Sequence, residues 1–172
     1  MTKYVVFLRA VNVGGTKIIK MEDLRKIFDS FGLRNVQTFI QSGNVIFDAR
    51  DSRTLEAKLE KQLEKALGFR TEIFLRSMEE VDRIVKQHGF EPKENETLHV
   101  VFLKSEPEKS RIESLKQYNS EADEFAVIGR EVYNLRHDRD RSIFSNNFIE
   151  KIFHTATTRN MTTVKKILEK YR

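Results

Sequence analysis

The chain has 172 residues, of which 39% are hydrophobic and 33% are charged, and its formal net charge is +5. It contains no cysteine, which excludes disulfide bonds, thiolate nucleophiles and cysteine-ligated metal centres. No apolar run approaches the roughly 18 residues that a membrane span requires, and no signal peptide is evident. We therefore expect a soluble, cytoplasmic protein without a membrane partner.

Hydrophobic periodicity in the first half predicts the element order β-α-β-β-α-β. Residues 4–9 form a short apolar run rich in strand-forming residues, and residues 21–31 carry Leu, Ile and Phe at the spacing of an amphipathic helix. A capping box at Ser77 and Glu80 opens a third helix that runs to about residue 88. The remaining predicted elements are strands at 36–41, 44–48 and 69–75, and a helix that begins at 51–53 and is closed by Gly68. This is the order of a ferredoxin-like unit followed by one more helix.

The element order resumes after a polar linker at 91–96, which contains Pro92. The predicted elements are strands at 97–103, 123–128 and 131–136, and helices at 108–118, 145–153 and 162–171. Their order, β-α-β-β-α-α, is an imperfect second ferredoxin-like repeat that rests on element order alone, since the two halves show little residue identity. We therefore predict an α+β fold with an N-terminal subdomain at 1–90 and a second subdomain with a helical C-terminus at 91–172, or one compact unit containing both.

The segment between the first strand and the first helix indicates a possible anion site. Residues 9–20 (RAVNVGGTKIIK) place a Gly-Gly pair and basic residues before a helix. Glycines free backbone N–H groups to face an anion, and a helix start adds positive potential. The spacing matches neither the P-loop nor the dinucleotide-binding glycine motif, and the alternative is a simple glycine turn. The candidate binding residues are Arg9, Asn12, Gly14, Gly15, Lys17 and Lys20.

A second polar segment, Gln41-Ser42-Gly43-Asn44, joins two predicted strands. Gln41 and Asn44 can present amide groups to a ligand. Ser, Gly and Asn also suit a tight hairpin turn with no ligand at all, and for this segment alone the hairpin interpretation is favoured.

A third polar segment, residues 155–163 (TATTRNMTT), combines five threonines with one Arg and one Asn. We interpret it as a loop before the last helix in which Thr158, Arg159 and Asn160 contact an anion, with Arg159 as a bidentate clamp. The alternative is a helix cap in which Arg159 pairs with an acid such as Glu150.

The four histidines, at 88, 99, 137 and 154, lack the spacing of a metal site, so we predict neither a metal nor a cofactor. His137 and His154 are candidates for proton transfer, although a solvated loop histidine is the more common occurrence. No nucleophile elbow and no carboxylate pair accompanies them. The catalytic residues, and whether the protein is an enzyme, stay open.

Basic residues are concentrated towards the C-terminus. Residues 136–172 carry nine Lys and Arg side chains against four Asp and Glu, so this stretch accounts for the whole net surplus of charge. Such a face is compatible with binding nucleic-acid phosphates. A ferredoxin-like sheet also suggests an RNA-recognition module, but the strand at 43–47 carries only Phe47 without the flanking motif.

Three stretches of the chain resemble a widespread bacterial family. They are residues 8–15 (LRAVNVGG), residues 41–45 (QSGNV) and residues 156–164 (ATTRNMTTV). The chain resembles domain-of-unknown-function family 1697 over nearly its whole length. The resemblance implies an α+β fold built on ferredoxin-like units and implies no activity. The family's usual Trp after the Arg-Asn pair is Met161 here, which can fill the same space if that aromatic only packs but not if it stacks on a ligand.

These observations predict a protein that binds a phosphate-bearing or otherwise anionic small molecule in a polar cleft. The cleft is expected where the 9–20 segment, the 41–44 turn and the 157–160 segment converge. Nucleic-acid binding through the basic C-terminal face is one alternative, and a protein-interaction module without catalysis is another. The oligomeric state and the ligand stay open.

Overall fold

The computed structural model describes residues 1–9, 19–39 and 43–172. This part of the chain contains eight strands and six helices, so the predicted α+β class is confirmed. In chain order they are β1 (Thr2–Leu8), α1 (Met21–Asp29), β2 (Arg34–Phe39), β3 (Asn44–Ala49), α2 (Leu55–Leu67), β4 (Ile73–Ser77), α3 (Met78–Lys86), β5 (Thr97–Leu103), α4 (Lys109–Lys116), β6 (Asp123–Ile128), β7 (Glu131–Arg136), α5 (Asn146–Phe153), β8 (Ala156–Asn160) and α6 (Met161–Tyr171).

The chain divides into two compact units of the same topology. The first comprises Met1–Val81 together with Tyr171–Arg172, and the second comprises Asp82–Lys170. Each unit holds a four-stranded antiparallel sheet, in the order β2-β3-β1-β4 in the first and β6-β7-β5-β8 in the second. The two predicted ferredoxin-like repeats are therefore confirmed. The boundary between the two units, at Val81 and Asp82, falls within α3.

The second repeat is more complete than the sequence predicted. The segment interpreted as a polar loop is strand β8, which pairs with β5 at the edge of the second sheet. The loop prediction was wrong because this five-residue strand (ATTRN) lacks an apolar run. Thr is nevertheless β-branched and suits an extended backbone, and pairing with β5 stabilises that conformation.

The prediction that the two halves share little residue identity is also corrected at two places. The central strands β1 (TKYVVFL) and β5 (TLHVVFL) are identical at five of seven positions. In the edge strands, Arg76 of β4 lies opposite Val5, and Arg159 of β8 lies opposite the equivalent Val100. One residue separates each arginine from the methionine that begins the following helix. The units are thus repeats in strand register as well as in element order.

Local signals account for the ends of the helices in the first unit. Gly68 ends α2 with a φ of 79°, the left-handed conformation that glycine adopts without steric cost. The predicted capping box is present: the Ser77 N–H donates to Glu80 Oε2 at 2.7 Å, and the Glu80 N–H donates to Ser77 Oγ at 3.1 Å. These bonds satisfy backbone donors at the junction between β4 and α3.

Each unit has its own apolar core. In the first unit, α1 and α2 bury Leu24, Phe28, Leu59 and Leu63 with the apolar side chains of β1, β3 and β4. In the second unit, α4 and α5 pack their apolar side chains with those of β5, β6, β7 and β8. Both faces of the central strands are buried, since neighbouring residues such as Val5 and Val6 are each fully inaccessible.

A buried carboxylate anchors the segment after β7 to the second sheet. Asp123 is fully buried, and its Oδ1 accepts hydrogen bonds from Asn134 Nδ2 at 3.0 Å and from Ser142 Oγ at 2.7 Å. Its Oδ2 accepts the Ile143 N–H at 2.9 Å. Asn134 is in turn hydrogen-bonded to His99 at 3.1 Å. Because burying a carboxylate is costly unless donors surround it, these bonds define where the segment lies.

We expect Asp123→Ala to lower the free energy of unfolding by about 2–4 kcal/mol, because three donors lose their acceptor and one of them, the Asn134 amide, is fully buried. Urea denaturation of the variant and of the native chain measures the difference. Asp140→Ala, which removes an exposed carboxylate from the same unit, is the matched control and should change stability by no more than about 0.5 kcal/mol. Equal stability of the two variants would show that the Asp123 network contributes little.

Candidate functional site

The described ends of two predicted polar segments lie close together at one end of the first sheet: Arg9 begins the 9–20 segment, and Gly43 and Asn44 end the 41–44 segment. The Leu8 N–H donates to the Gly43 carbonyl at 2.9 Å, which joins the end of β1 to the start of β3. The next residue, Arg9, donates its N–H to the Glu72 carbonyl at 3.0 Å. Lys20 directly precedes α1, and its carbonyl accepts the Leu24 N–H at 3.0 Å.

Arg9 is the best-defined charged group at this end of the sheet. Its Nη1 lies 3.6 Å from Glu72 Oε1, and both side chains are about three-quarters buried. That distance exceeds the roughly 2.7–2.9 Å of a strong charge-assisted hydrogen bond. The pair is therefore weaker than a bidentate, charge-assisted contact between a guanidinium and an anion.

Asn44 has an internal role in the hairpin between β2 and β3. Its side chain is fully buried, and its Nδ2 donates to the Phe39 carbonyl at 2.8 Å. Gly43 precedes it with a φ of 74°. The amide group therefore links the facing ends of β2 and β3, where Phe39 pairs with Asn44. The predicted binding residues Asn12, Gly14, Gly15, Lys17 and Gln41 lie outside the described residues.

The third polar segment belongs to the second unit, and its Arg is buried. Arg159 is 7% exposed, and its Nη1 donates to Thr157 Oγ1 and to the Thr158 carbonyl, each at 2.9 Å. Burial lowers the pKa of Arg159 to about 10. Asn160 Oδ1 accepts the Thr162 N–H at 3.0 Å, so this residue caps α6. The convergence of Thr158, Arg159 and Asn160 with the first two segments stays a prediction.

Sequence reasoning overlooked a second buried arginine. Arg76 is fully inaccessible in β4 and donates from Nη1 to the Leu75 carbonyl at 3.0 Å. The signal that could have found it is the repeat itself, because Arg76 and Arg159 each stand two residues before a helix-opening methionine. Of these methionines, Met161 is buried at 2% exposure, which agrees with a packing role.

The two candidate histidines have different surroundings in the second unit. His137 bridges two carboxylates: Nδ1 is hydrogen-bonded to Glu96, and Nε2 lies 2.6 Å from Glu124 Oε2. The hydrogen bond to Glu96, followed by that to Glu124, raises the pKa of His137 against the opposing effect of burial. His154 is exposed, with a φ of 65°, and lines a cavity of about 390 Å³ together with Lys104 and Arg111.

Two basic side chains of the C-terminal stretch make internal contacts. Arg159 is buried, and Arg136 donates to Ser142 Oγ at 3.3 Å and to the Phe144 carbonyl at 3.2 Å. Across the described ranges, no three His, Asp or Glu side chains are grouped to hold a metal ion. No helix there has the length and apolar character needed to cross a membrane.

Comparison with known proteins gives a family and a fold. The model of a family described as "Protein of unknown function (DUF1697)" matches residues 1–133. A solved structure, that of the conserved bacterial protein SP0830 from Streptococcus pneumoniae, superposes with a TM-score of 0.70 and 21% sequence identity. The match covers 98% of this chain and 97% of that one. No curated protein matches the chain.

The His137 bridge predicts a pH-dependent contribution to stability. A raised folded-state pKa stabilises the protein fully below the unfolded value of about 6.5, and the contribution is lost as pH rises through the raised pKa. We therefore expect His137→Gln to destabilise the protein more at about pH 6 than at about pH 9. Urea denaturation at both pH values measures this. The matched control is Asn147→Gln, which replaces an exposed, non-titrating residue of the same unit, so its effect should be the same at both pH values. A pH-independent effect of His137→Gln would contradict a charged bridge.

Proposed function

The chain belongs to the DUF1697 family of proteins of unknown function, and we propose that it binds a phosphate-bearing small molecule where β1 ends and α1 begins. The binding site comprises Arg9, Lys20 and the intervening residues Asn12, Gly14, Gly15 and Lys17, with Gln41 from the neighbouring turn. We call this the β1–α1 site. Its charge is supplied by Arg9, Lys17 and Lys20, and its neutral hydrogen bonds come from amide side chains and glycine N–H groups.

The observation that carries the proposal is the hydrogen bond from the Leu8 N–H to the Gly43 carbonyl. This bond joins the end of β1 to the start of β3. The segment that follows β1 and the segment that precedes β3 therefore begin at the same end of the sheet. Arg9, the residue after Leu8, therefore lies close to Gly43, although 34 positions separate them in the chain. Polar, turn-forming segments brought together in this way favour a ligand site over two unrelated connections.

Glu72 is the carboxylate that a bound phosphate would replace as the partner of Arg9. In the free protein its carboxylate partly compensates the Arg9 guanidinium at 3.6 Å. A phosphate can engage a guanidinium through two parallel N–H donors at shorter distance. Binding then replaces a long ion pair by a bidentate one, with Glu72 turning to solvent. Hydration of the released Glu72 carboxylate offsets part of the ion pair that is lost.

Arg159 contributes to the proposal less directly than Arg9. Its guanidinium is engaged by Thr157 and by the backbone of β8, which favours support of the strand over direct contact with a ligand.

A thermal-shift screen tests the proposal. The panel holds nucleotides, sugar phosphates, inorganic phosphate, and short DNA and RNA, each at low and at moderate salt. A small phosphate compound at about 100 times its Kd adds about 2.7 kcal/mol and should raise Tm by roughly 2–8 °C. The double substitution Arg9→Gln/Lys20→Gln should abolish that shift. The control Lys26→Gln/Lys61→Gln removes the same charge from exposed positions on α1 and α2 and should preserve it.

Two results would overturn the proposal. A shift produced only by oligonucleotides and lost with salt would assign the protein to nucleic-acid binding. If no compound changes Tm, the protein is better described as a protein-interaction module that binds no small ligand.

A further inference from the structure

The opposite end of the first sheet contains a cavity of about 690 Å³. It lies where β1 and β2 begin and β3 ends, since Thr2 pairs with Ala49 and Arg34 pairs with Asp48. The β1–α1 site is at the other end of the seven-residue β1, about 20 Å away at roughly 3.3 Å per residue. The volume falls within the roughly 300–1,000 Å³ typical of small-molecule sites.

Three cations from three different elements line this cavity. Arg34 is the first residue of β2, Arg50 directly follows β3, and Lys58 lies in the first turn of α2. All three are exposed, and within the described ranges their side chains form no hydrogen bond or ion pair. Asp48 is the one acid in the lining, and its Oδ2 already accepts a hydrogen bond from Asn35 Nδ2 at 2.7 Å.

The backbone beside Arg34 departs from regular pairing. The β2–β3 register shifts between Arg34 and Gln37, and Asn35 adopts a φ of 54°. Such an irregularity redirects a side chain relative to a regular strand. The start of α2 at Leu55 adds positive potential to the same cavity.

Apolar side chains form another part of the wall, next to the hydroxyl groups of Ser52 and Thr54. Phe31 and Leu33 are half-buried, and Leu55 is 8% exposed. Three cations against the single carboxylate of Asp48 leave an excess of positive charge that attracts an anion, and the adjacent apolar side chains suit a planar or hydrocarbon group attached to it. We propose that this cavity, the cationic cleft, binds a phosphate monoester that carries a planar apolar body. The site is independent of the β1–α1 site proposed above and shares no residue with it.

Backbone amide shifts in NMR titrations test the cationic cleft. The probes are phenyl phosphate and AMP, with phenol and adenosine as their uncharged counterparts. Both phosphates should shift the amides of residues 31–34 and 48–58 saturably, and the uncharged counterparts should not. Inorganic phosphate should bind the same residues more weakly because it cannot contact the apolar wall.

The triple substitution Arg34→Gln/Arg50→Gln/Lys58→Gln should weaken phenyl phosphate binding by roughly tenfold or more, since guanidinium–phosphate pairs are charge-assisted. The control Lys109→Gln/Lys116→Gln/Lys151→Gln removes the same charge from exposed positions of the second unit that do not line the cavity. It should change Kd by about twofold or less, because exposed charges that do not contact the ligand are screened by salt. Arg9→Gln/Lys20→Gln should also leave it unchanged, which separates this site from the β1–α1 site.

Three outcomes would overturn the inference. They are the absence of saturable shifts with either phosphate, shifts centred on residues outside the cleft, and equal weakening by the cleft and control variants. If an oligonucleotide binds in preference to both monoesters, the ligand of the cleft is a nucleic-acid backbone and the proposal of a small ligand is wrong.

Discussion

Both units are organised by a central strand that is hydrogen-bonded on both sides and buried on both faces. β1 pairs with β3 and β4, and β5 pairs with β7 and β8. In β1, Val5, Val6 and Phe7 are all fully inaccessible. A strand enclosed in this way leaves no room for a solvated polar group along its length. Charged side chains that serve a ligand must therefore lie at the strand's ends, and the two proposed sites lie at the two ends of β1.

The repeat explains why the two units share a scaffold but differ in chemistry. Leu103 donates its N–H to the Arg130 carbonyl at 3.0 Å, as Leu8 does to that of Gly43. The second unit places a half-buried Lys104 after its central strand, where the first places Arg9 before a glycine-containing segment. The second unit also uses Asp123 and His137 in internal hydrogen bonds. In the first unit the cations of the cleft have no such partners among the described residues, which is why both binding proposals lie in that unit.

Buried arginines occupy the edge strand of each sheet. Arg76 and Arg159 donate to backbone carbonyls, and Arg159 also donates to the Thr157 hydroxyl. The pKa of about 10 keeps Arg159 protonated at neutral pH despite burial. These two charges add to the net charge of the chain without contributing to a basic surface. The distribution of net charge along a sequence therefore overstates the basic face of the C-terminal stretch.

Local interactions allowed the sequence by itself to determine most of the secondary structure. The strands Thr97–Leu103 and Asp123–Ile128 follow from short apolar or alternating runs, and the Ser77–Glu80 capping box follows from a three-residue spacing. Each signal lies within a few neighbouring residues, so no knowledge of the rest of the chain is needed. The ferredoxin-like order follows from these elements in sequence.

Only the tertiary structure decided which polar residues face solvent and which distant residues share a site. Arg159 and Asn44 carry the hydrogen-bonding groups that are typical of binding residues, yet pairing of their strands buries both side chains. Arg34, Arg50 and Lys58 show no local pattern, and they line one cavity because strand pairing brings the start of β2, the end of β3 and the start of α2 together. Strand partners are selected by burial across the whole sheet, and that constraint is invisible in any short stretch of sequence.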